Sequence, residues 1–486
     1  MSFRRNALYN LAGTIIPIAL GLATVPAYLH SIGEDRYGVL VIVWLYLGYF
    51  GFFDLGLSRS ATNFIARLHD APPPGRQSVF WTALGLNALF GSLGGSVMYM
   101  VAPLVVRHLL TMPEALKSEV LISLPWLALA VPLVAMSGVL VGTLEGRERF
   151  ATVNAVQVAG SGLVQVLPLG VSLLYSKGLD WLIPSTILAR VATMPVLFAC
   201  VAKDLPLGRN IRFELQLIRP LLGYGGWVAI TFLIIPILET IDKAIIGAVL
   251  GMRAVSYYAI PFNLVDRFRI IPRAFMRSLF PLFSRVGEEE AKEVASRTTG
   301  ILAATLTPMI VAGIFLMRPF LTIWLGGDLS LHAAPLGETL LVGIWMNSLA
   351  HIPFALVEGR GRPDLLTKLN LLMLPLYLGM FWAGARWYGL EGVAMAWSLR
   401  VCLDSTILLG ISGLLGRCWV LVRPGALLVA SSWIAARFHP ASILPGIALI
   451  SLSIAWAWSI EPRIRRALSN LSSRLIRGTL FNFRKT

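Results

Sequence analysis

Apolar stretches of about twenty residues recur along this chain almost from one end to the other, and nothing else in it constrains the fold as strongly. A helix rising 1.5 Å per residue needs about 20 residues to cross a hydrocarbon core about 30 Å thick. Such runs lie near 8–29, 37–56, 79–105, 120–143, 152–175 and 181–201. A second series lies near 222–249, 254–283, 298–318, 335–357, 365–385, 390–414, 421–437 and 441–460, about fourteen spans in all. Lipid offers the backbone no hydrogen-bond partner, so each crossing must be helical. The expected fold class is therefore an all-α integral membrane protein. Composition excludes the soluble alternative: of 486 residues 56% are hydrophobic and 14% charged, with a mean hydropathy of +0.74. A soluble domain carries roughly 25% charged residues.

The net charge is +16, from 41 Lys and Arg against 25 Asp and Glu. In a soluble chain that surplus would suggest nucleic acid; here its distribution points to membrane topology instead. With the N-terminus inside, about 26 Lys and Arg fall in inner loops and ends, and 8 fall outside: Arg36, Arg107, Lys117, Lys177, Arg253, Arg318, Arg386 and Arg437. The bias predicts both termini in the cytoplasm. Seven more fall within spans: Arg190, Lys243, Arg267, Arg269, Arg273, Arg277 and Arg400.

No loop exceeds roughly 25 residues, which leaves no room for a catalytic domain outside the membrane. The chain has no phosphate-binding loop ending in Lys-Ser or Lys-Thr, no His-Glu-x-x-His and no Gly-x-Ser-x-Gly. Six scattered histidines and the three cysteines Cys200, Cys402 and Cys418 show no metal or disulfide spacing. An enzyme, a metal site and a cofactor are not expected. The basic stretch from Arg463 is expected to lie on the anionic inner leaflet.

The halves of the chain are weakly alike. At an offset of 218, Ile32-Gly33 falls on Leu250-Gly251, Arg59 falls on Arg277, and Pro17 comes within one residue of Pro236. Duplicated helix bundles recur in transporters, with the substrate between the copies.

Among the spans, the segment PFNLVDRFRIIPRAFMRSLFPLF holds the densest charge. On a helix Asp266, Arg269, Arg273 and Arg277 share one face, while Leu264, Phe268, Ile271, Phe275, Leu279 and Leu282 lie opposite. An arginine at bilayer depth costs roughly 2.5–3.5 kcal/mol, so it normally faces a cavity or a partner. Three on one face would suit an anion, and the planar guanidinium fork suits phosphate. A helix on the cytoplasmic surface with solvated arginines fits the same pattern. Arg59, at the inner end of the second span, is either a cavity residue or a boundary charge; Arg190 lies mid-span without a local acidic partner. Arg400 with Asp404, and Glu239 with Lys243, are spaced as neutralising pairs.

The opening run NLAGTIIPIALGLATVPAYLHSIGEDRYGVLVIVWLYLGYFGFFDLGLSRSATNFIAR resembles the start of Wzx-type polysaccharide flippases, of the multidrug/oligosaccharidyl-lipid/polysaccharide exporter superfamily. The likeness rests on Gly33, Tyr37-Gly38 and Asp54-Leu55-Gly56-Leu57, and in the second half on Asp242-Lys243, Ile246-Gly247, Leu250-Gly251, Tyr257, Pro281 and Ser284. It covers about the first 70 residues and about 220–285.

The resemblance implies a MATE-like fold: two pseudo-symmetric six-helix lobes, 1–202 and 221–416, joined by a cytoplasmic amphipathic linker, 203–220. Two further helices, 417–462, and a basic tail, 463–486, would follow. It also implies a polyprenyl-diphosphate-linked oligosaccharide as substrate, flipped to the outer leaflet of the bacterial inner membrane, with H⁺ or Na⁺ as coupling ion. Arg269, Arg273, Arg277, Arg59 and Arg190 become the expected substrate contacts, and Asp54, Asp266, Asp242, Lys243, Arg400 and Asp404 the supporting charges. The rival is a multidrug/cation antiporter of the same fold. Residues 8–29 contain neither the acidic residue common in such antiporters nor the arginines of lipid-linked peptidoglycan-precursor flippases.

Overall fold

A computed structural model describes residues 3–49, 54–68, 73–205, 213–222, 240–438 and 444–459. Among these the regular structure is helical and no strand occurs, as the apolar runs require. The helices are α1 (Phe3–Tyr49), α2 (Leu57–Arg67), α3 (Pro73–Leu104), α4 (Glu114–Gly146), α5 (Phe150–Leu174), α6 (Leu179–Val191) and α7 (Thr193–Asp204). They continue with α8 (240–249), α9 (Met252–Val265), α10 (Ile270–Phe283), α11 (Glu288–Leu325), α12 (Gly327–Gly359), α13 (Pro363–Ile411), α14 (Leu415–Phe438) and α15 (Leu444–Ser459). Eight helical stretches of the described residues are long and apolar enough to cross a bilayer, and α15 is a shorter apolar helix. Residues 223–239, with Pro236 and Glu239, and the tail 463–486 lie outside the described residues.

The breaks between expected spans fall where glycine allows them. The first two spans are the two helices of α1, broken at Gly33, whose φ of 77° and ψ of 171° suit a residue without a Cβ. The spans at 365–385 and 390–414 are likewise the two helices of α13, broken at Gly389 (φ 61°, ψ −144°). The sixth span is divided at Ala192 into α6 and α7.

The chain forms two compact units, Met1–Ser256 and Tyr257–Thr486. In the first, α4 is central and packs on α2, α3, α6 and α7. Lipid tails are as apolar as the helices, so small residues rather than burial from water bring such helices close. A Cβ on Gly91 or Gly95 of α3 would lie 2.5 Å from Pro132 Cα or 2.4 Å from Ala128 O of α4. Residues 213–222, at the end of the expected linker, are tied to this unit: Glu214 N–H donates to Thr82 Oγ1 at 3.0 Å, and Ser60 Oγ to Leu221 O at 2.8 Å. In the second unit α12 is central, packed on α10, α11 and α13, while α14 lies on α11.

Candidate functional site

The arginine segment occupies α9, a tight turn at Asp266–Arg269, and α10. Pro272 has no N–H to give the carbonyl of Phe268, and its ring crowds that carbonyl; the helix tightens into a 3₁₀ turn just before it. In such a turn residues three apart eclipse, which sets Asp266 beneath Arg269. Arg269 Nε donates to Asp266 Oδ1 at 2.6 Å, and Nη1 reaches Asn347 Oδ1 of α12 at 3.4 Å. Arg273 and Arg277 are exposed on α10, and Pro272 and Phe283 are buried. His351, one turn beyond Asn347, feels the charges of both Arg269 and Arg273, and its Nδ1–H donates to Asn347 O at 2.9 Å. The second unit thus brings Asp266, Arg269, Arg273, Asn347 and His351 to one polar neighbourhood beside α12. Asn347 and His351 escaped the sequence reading, although their i,i+4 spacing inside an apolar run is a visible signal.

In the first unit the expected residues divide differently. Arg59 is exposed on α2, while Asp54 is buried and bonds elsewhere. The Asp54 carboxylate accepts Ser58 N–H at 2.9 Å and Ser58 Oγ–H at 2.9 Å, and it also accepts the Asn87 amide of α3. Arg190, near the end of α6, is half-buried and has no ion-pair partner among the described residues. Asp242 and Lys243 are both buried and pair with each other, Nζ to Oδ1 at 3.3 Å, with the Lys243 N–H donating to the same oxygen at 2.7 Å. The other acid expected near Lys243, Glu239, is outside the described residues.

The expected Arg400–Asp404 pair forms within α13, Nε to Oδ2 at 3.7 Å. A third member joins it: the Tyr377 hydroxyl donates to Asp404, and the Arg400 guanidinium lies 4.2 Å from the Tyr377 ring centre. Both contacts cross the break at Gly389, which folds the two parts of α13 back on each other. The sequence reading also passed over Glu338 of α12, only 4% exposed, with Arg318, Arg437 and Glu391 from three other helices in its field.

Fold and charges together describe a multi-pass membrane protein that carries polar clusters among its apolar helices. Solved structures share that fold. A lipid II flippase MurJ in an inward closed conformation matches with a TM-score of 0.67 at 12% identity, over 95% of this chain and 99% of its own. An inward-facing multidrug resistance MATE family transporter of the MOP superfamily gives 0.62 at 17%, over 86% and 95%. A putative O-antigen transporter of Shigella flexneri is 27% identical over 409 residues, 84% of this chain and 97% of that one. The family model described as polysaccharide biosynthesis protein matches residues 33–330, and the chain belongs to that family.

Proposed function

We propose that the chain flips a polyprenyl-diphosphate-linked oligosaccharide from the inner to the outer leaflet of the bacterial inner membrane, by alternating access and without covalent catalysis. The observation that carries this reading is the Asp266–Arg269–Asn347 cluster with Arg273 and Arg277 exposed beyond it. A diphosphate cannot cross hydrocarbon unaided, because an unpaired charge in an apolar medium is expensive. Arg269 is held in a fixed orientation by Asp266 and Asn347, so it loses little freedom on meeting a phosphate. Arg273 and Arg277 carry no competing ion pair among the described residues and supply further positive charge. Arg59 and Arg190 are the contacts offered by the first unit, while Arg400, Asp404, Asp242 and Lys243 serve as neutralised pairs. The similarity to the O-antigen transporter supports a lipid-linked glycan as cargo. H⁺ or Na⁺ would drive the cycle, both termini would face the cytoplasm, and the basic tail would lie on anionic lipid.

The MATE transporter shares the fold at 17% identity, which supports an antiporter reading only as far as architecture. The absence of an acidic residue between Leu8 and Leu29 weighs against it.

Export of lipid-linked glycan in cells lacking the native transporter tests the proposal. Arg269→Ala, Arg273→Ala and Arg277→Ala should each reduce export while the protein remains inserted, and lysine at the same positions should restore part of it. Full export by all three alanine variants would refute a role for this stripe in carrying the diphosphate.

A further inference from the structure

Helix α5 carries no charged residue, and most of its polar side chains fall in a line. Asn154, Gln157, Ser161 and Gln165 follow one another at steps of three and four, which sets them on one face of the helix. Asn154 and Gln157 are exposed, and Ser161 and Gln165 are half-buried. The opposite face is apolar and also uncovered: Leu163, Val166 and Leu167 are 42%, 48% and 39% exposed. With 25 residues α5 is long enough to cross the hydrocarbon core, and Gln157 to Gln165 lie in its middle. A primary amide at that depth is costly in hydrocarbon, so an uncovered one faces water. Two uncovered faces of opposite character make α5 part of a wall, with lipid on one side and an aqueous space on the other.

Within the first unit α5 packs on α1 and α6, and α1 covers only the C-terminal end of the polar line. There Ser31 Oγ donates to Ser172 Oγ at 3.2 Å, and both residues are buried. One helical turn and more before it, the Tyr28 hydroxyl donates to Gln165 O at 2.6 Å, and Thr24 Oγ1 donates to Gln165 Oε1 at 3.2 Å. The hydrogens of the Gln165 amide meet no acceptor among the described residues, and the Gln157 side chain makes no hydrogen bond among them. Ser161 Oγ donates to Gln157 O at 2.8 Å, which leaves its oxygen able to accept. The uncovered part of the line therefore offers donors and acceptors without charge.

From this we infer that Asn154, Gln157, Ser161 and Gln165 form a track that hydrogen-bonds the uncharged sugars of the cargo as they cross. A sugar hydroxyl both donates and accepts, and a carboxamide does the same, whereas arginine only donates. A phosphate is drawn to the arginines instead, and a lipid tail finds its own surface at Leu163, Val166 and Leu167. A line of similar neutral groups also suits a chain of several sugars, because each sugar exchanges one set of hydrogen bonds for the next at little net change. The inference rests on the flippase reading for the occupant of the track, and not for the aqueous face of α5.

The test uses the full chain with Cys200→Ala, Cys402→Ala and Cys418→Ala, in cells that make the glycan. Gln157→Cys and Gln165→Cys should react with a methanethiosulfonate reagent, which attacks only an ionised thiol in water, while Leu163→Cys and Leu167→Cys should not. A photo-reactive benzoylphenylalanine placed at Gln157 should, on illumination, give a protein band that stains for carbohydrate, and the same group at Leu163 should give none. Gln157→Leu with Gln165→Leu should lower glycan export severalfold at a nearly unchanged melting midpoint, and asparagine at both positions should keep most of it, which a merely structural role would not give. Equal thiol reactivity on the two faces, no carbohydrate joined at Gln157, or normal export by the leucine pair would overturn the track. Failure of the flippase reading has a different sign: the unmodified protein then exports no glycan, whatever the thiols report.

Discussion

Replacing Asp54 with alanine separates a structural carboxylate from a functional one. Helix α2 begins after Leu55 and Gly56, both with positive φ (48° and 73°), and Gly56 at the helix start has no side chain to cap it. Asp54, two residues further back, supplies the missing acceptor to the Ser58 N–H, and its other partner, Asn87, is fully buried. Loss of the cap costs about 1 kcal/mol. Stranding a buried amide adds about 1–3 kcal/mol. The sum is about 2–4 kcal/mol, and at about 2–4 °C per kcal/mol for a unit of this length the melting midpoint should fall by roughly 5–15 °C. Asp54→Asn keeps an equally good cap and loses only the charge-assisted bond, so it should cost about 1 kcal/mol. The assay is thermal unfolding of detergent-purified protein, followed by reaction of Cys200, Cys402 and Cys418 with a thiol dye as they become exposed. Asp54→Ala combined with Asn87→Ala should lose about 1 kcal/mol less than the separate losses added, because the two share one bond. Equal midpoints for the alanine and asparagine variants would refute the capping argument. So would an Asp54→Ala variant of normal midpoint that exports nothing, which would return Asp54 to the role of charge partner for Arg59.

Gly95→Leu should prevent close packing of α3 on α4, since even a Cβ there falls 2.4 Å from Ala128 O; little protein should be recovered from a size-exclusion column in monodisperse form. Arg400→Leu should destabilise by about 1–3 kcal/mol by leaving the half-buried Asp404 carboxylate without its cation, and Arg400→Leu with Asp404→Leu should regain a good part in the same melting assay. Arg417→Ala should move the midpoint by no more than the effect of about 0–1 kcal/mol usual for a solvated pair, because its bond to Glu289 at 2.6 Å is exposed.

Much of the fold was legible because lipid imposes a length and a hydrogen-bonding rule that apolar runs record directly. The expected helices at 120–143, 152–175 and 421–437 correspond to α4, α5 and α14 with ends shifted by a few residues. The boundaries between 8–29 and 37–56 and between 365–385 and 390–414 were legible and fall at Gly33 and Gly389; what no polar loop records is that a single positive-φ glycine makes each break. The same holds for the 3₁₀ turn at Asp266–Arg269, where Pro272 was visible but not the local geometry it imposes. Pairings near in sequence, such as Arg400 with Asp404, could be read from helical spacing; Tyr377, Asn347 and Asn87 enter their clusters from other helices or from across a break, which no spacing encodes.

The residues that carry the family likeness turn out to build turns and contacts. Gly33 and Gly251 break helices, and Gly38 lets segment 247–256 approach. Tyr37 is buried with its ring 6.1 Å from both Tyr28 and Trp44. Asp54, Leu55 and Gly56 start α2, and Asp242 neutralises Lys243. A shared signature of this kind reports a common architecture, and architecture is what a MATE transporter and a MurJ flippase also share with this chain at 17% and 12% identity. Cargo must then be written in residues that the architecture does not need. Arg273, Arg277 and Arg59 satisfy that criterion, being exposed, and Arg190 satisfies it by lacking an ion pair among the described residues. Their removal should therefore leave the melting midpoint almost unchanged while export falls, the reverse of the pattern expected at Asp54. A stripe whose alanine variants unfolded the protein instead would belong to the scaffold, whatever its charge.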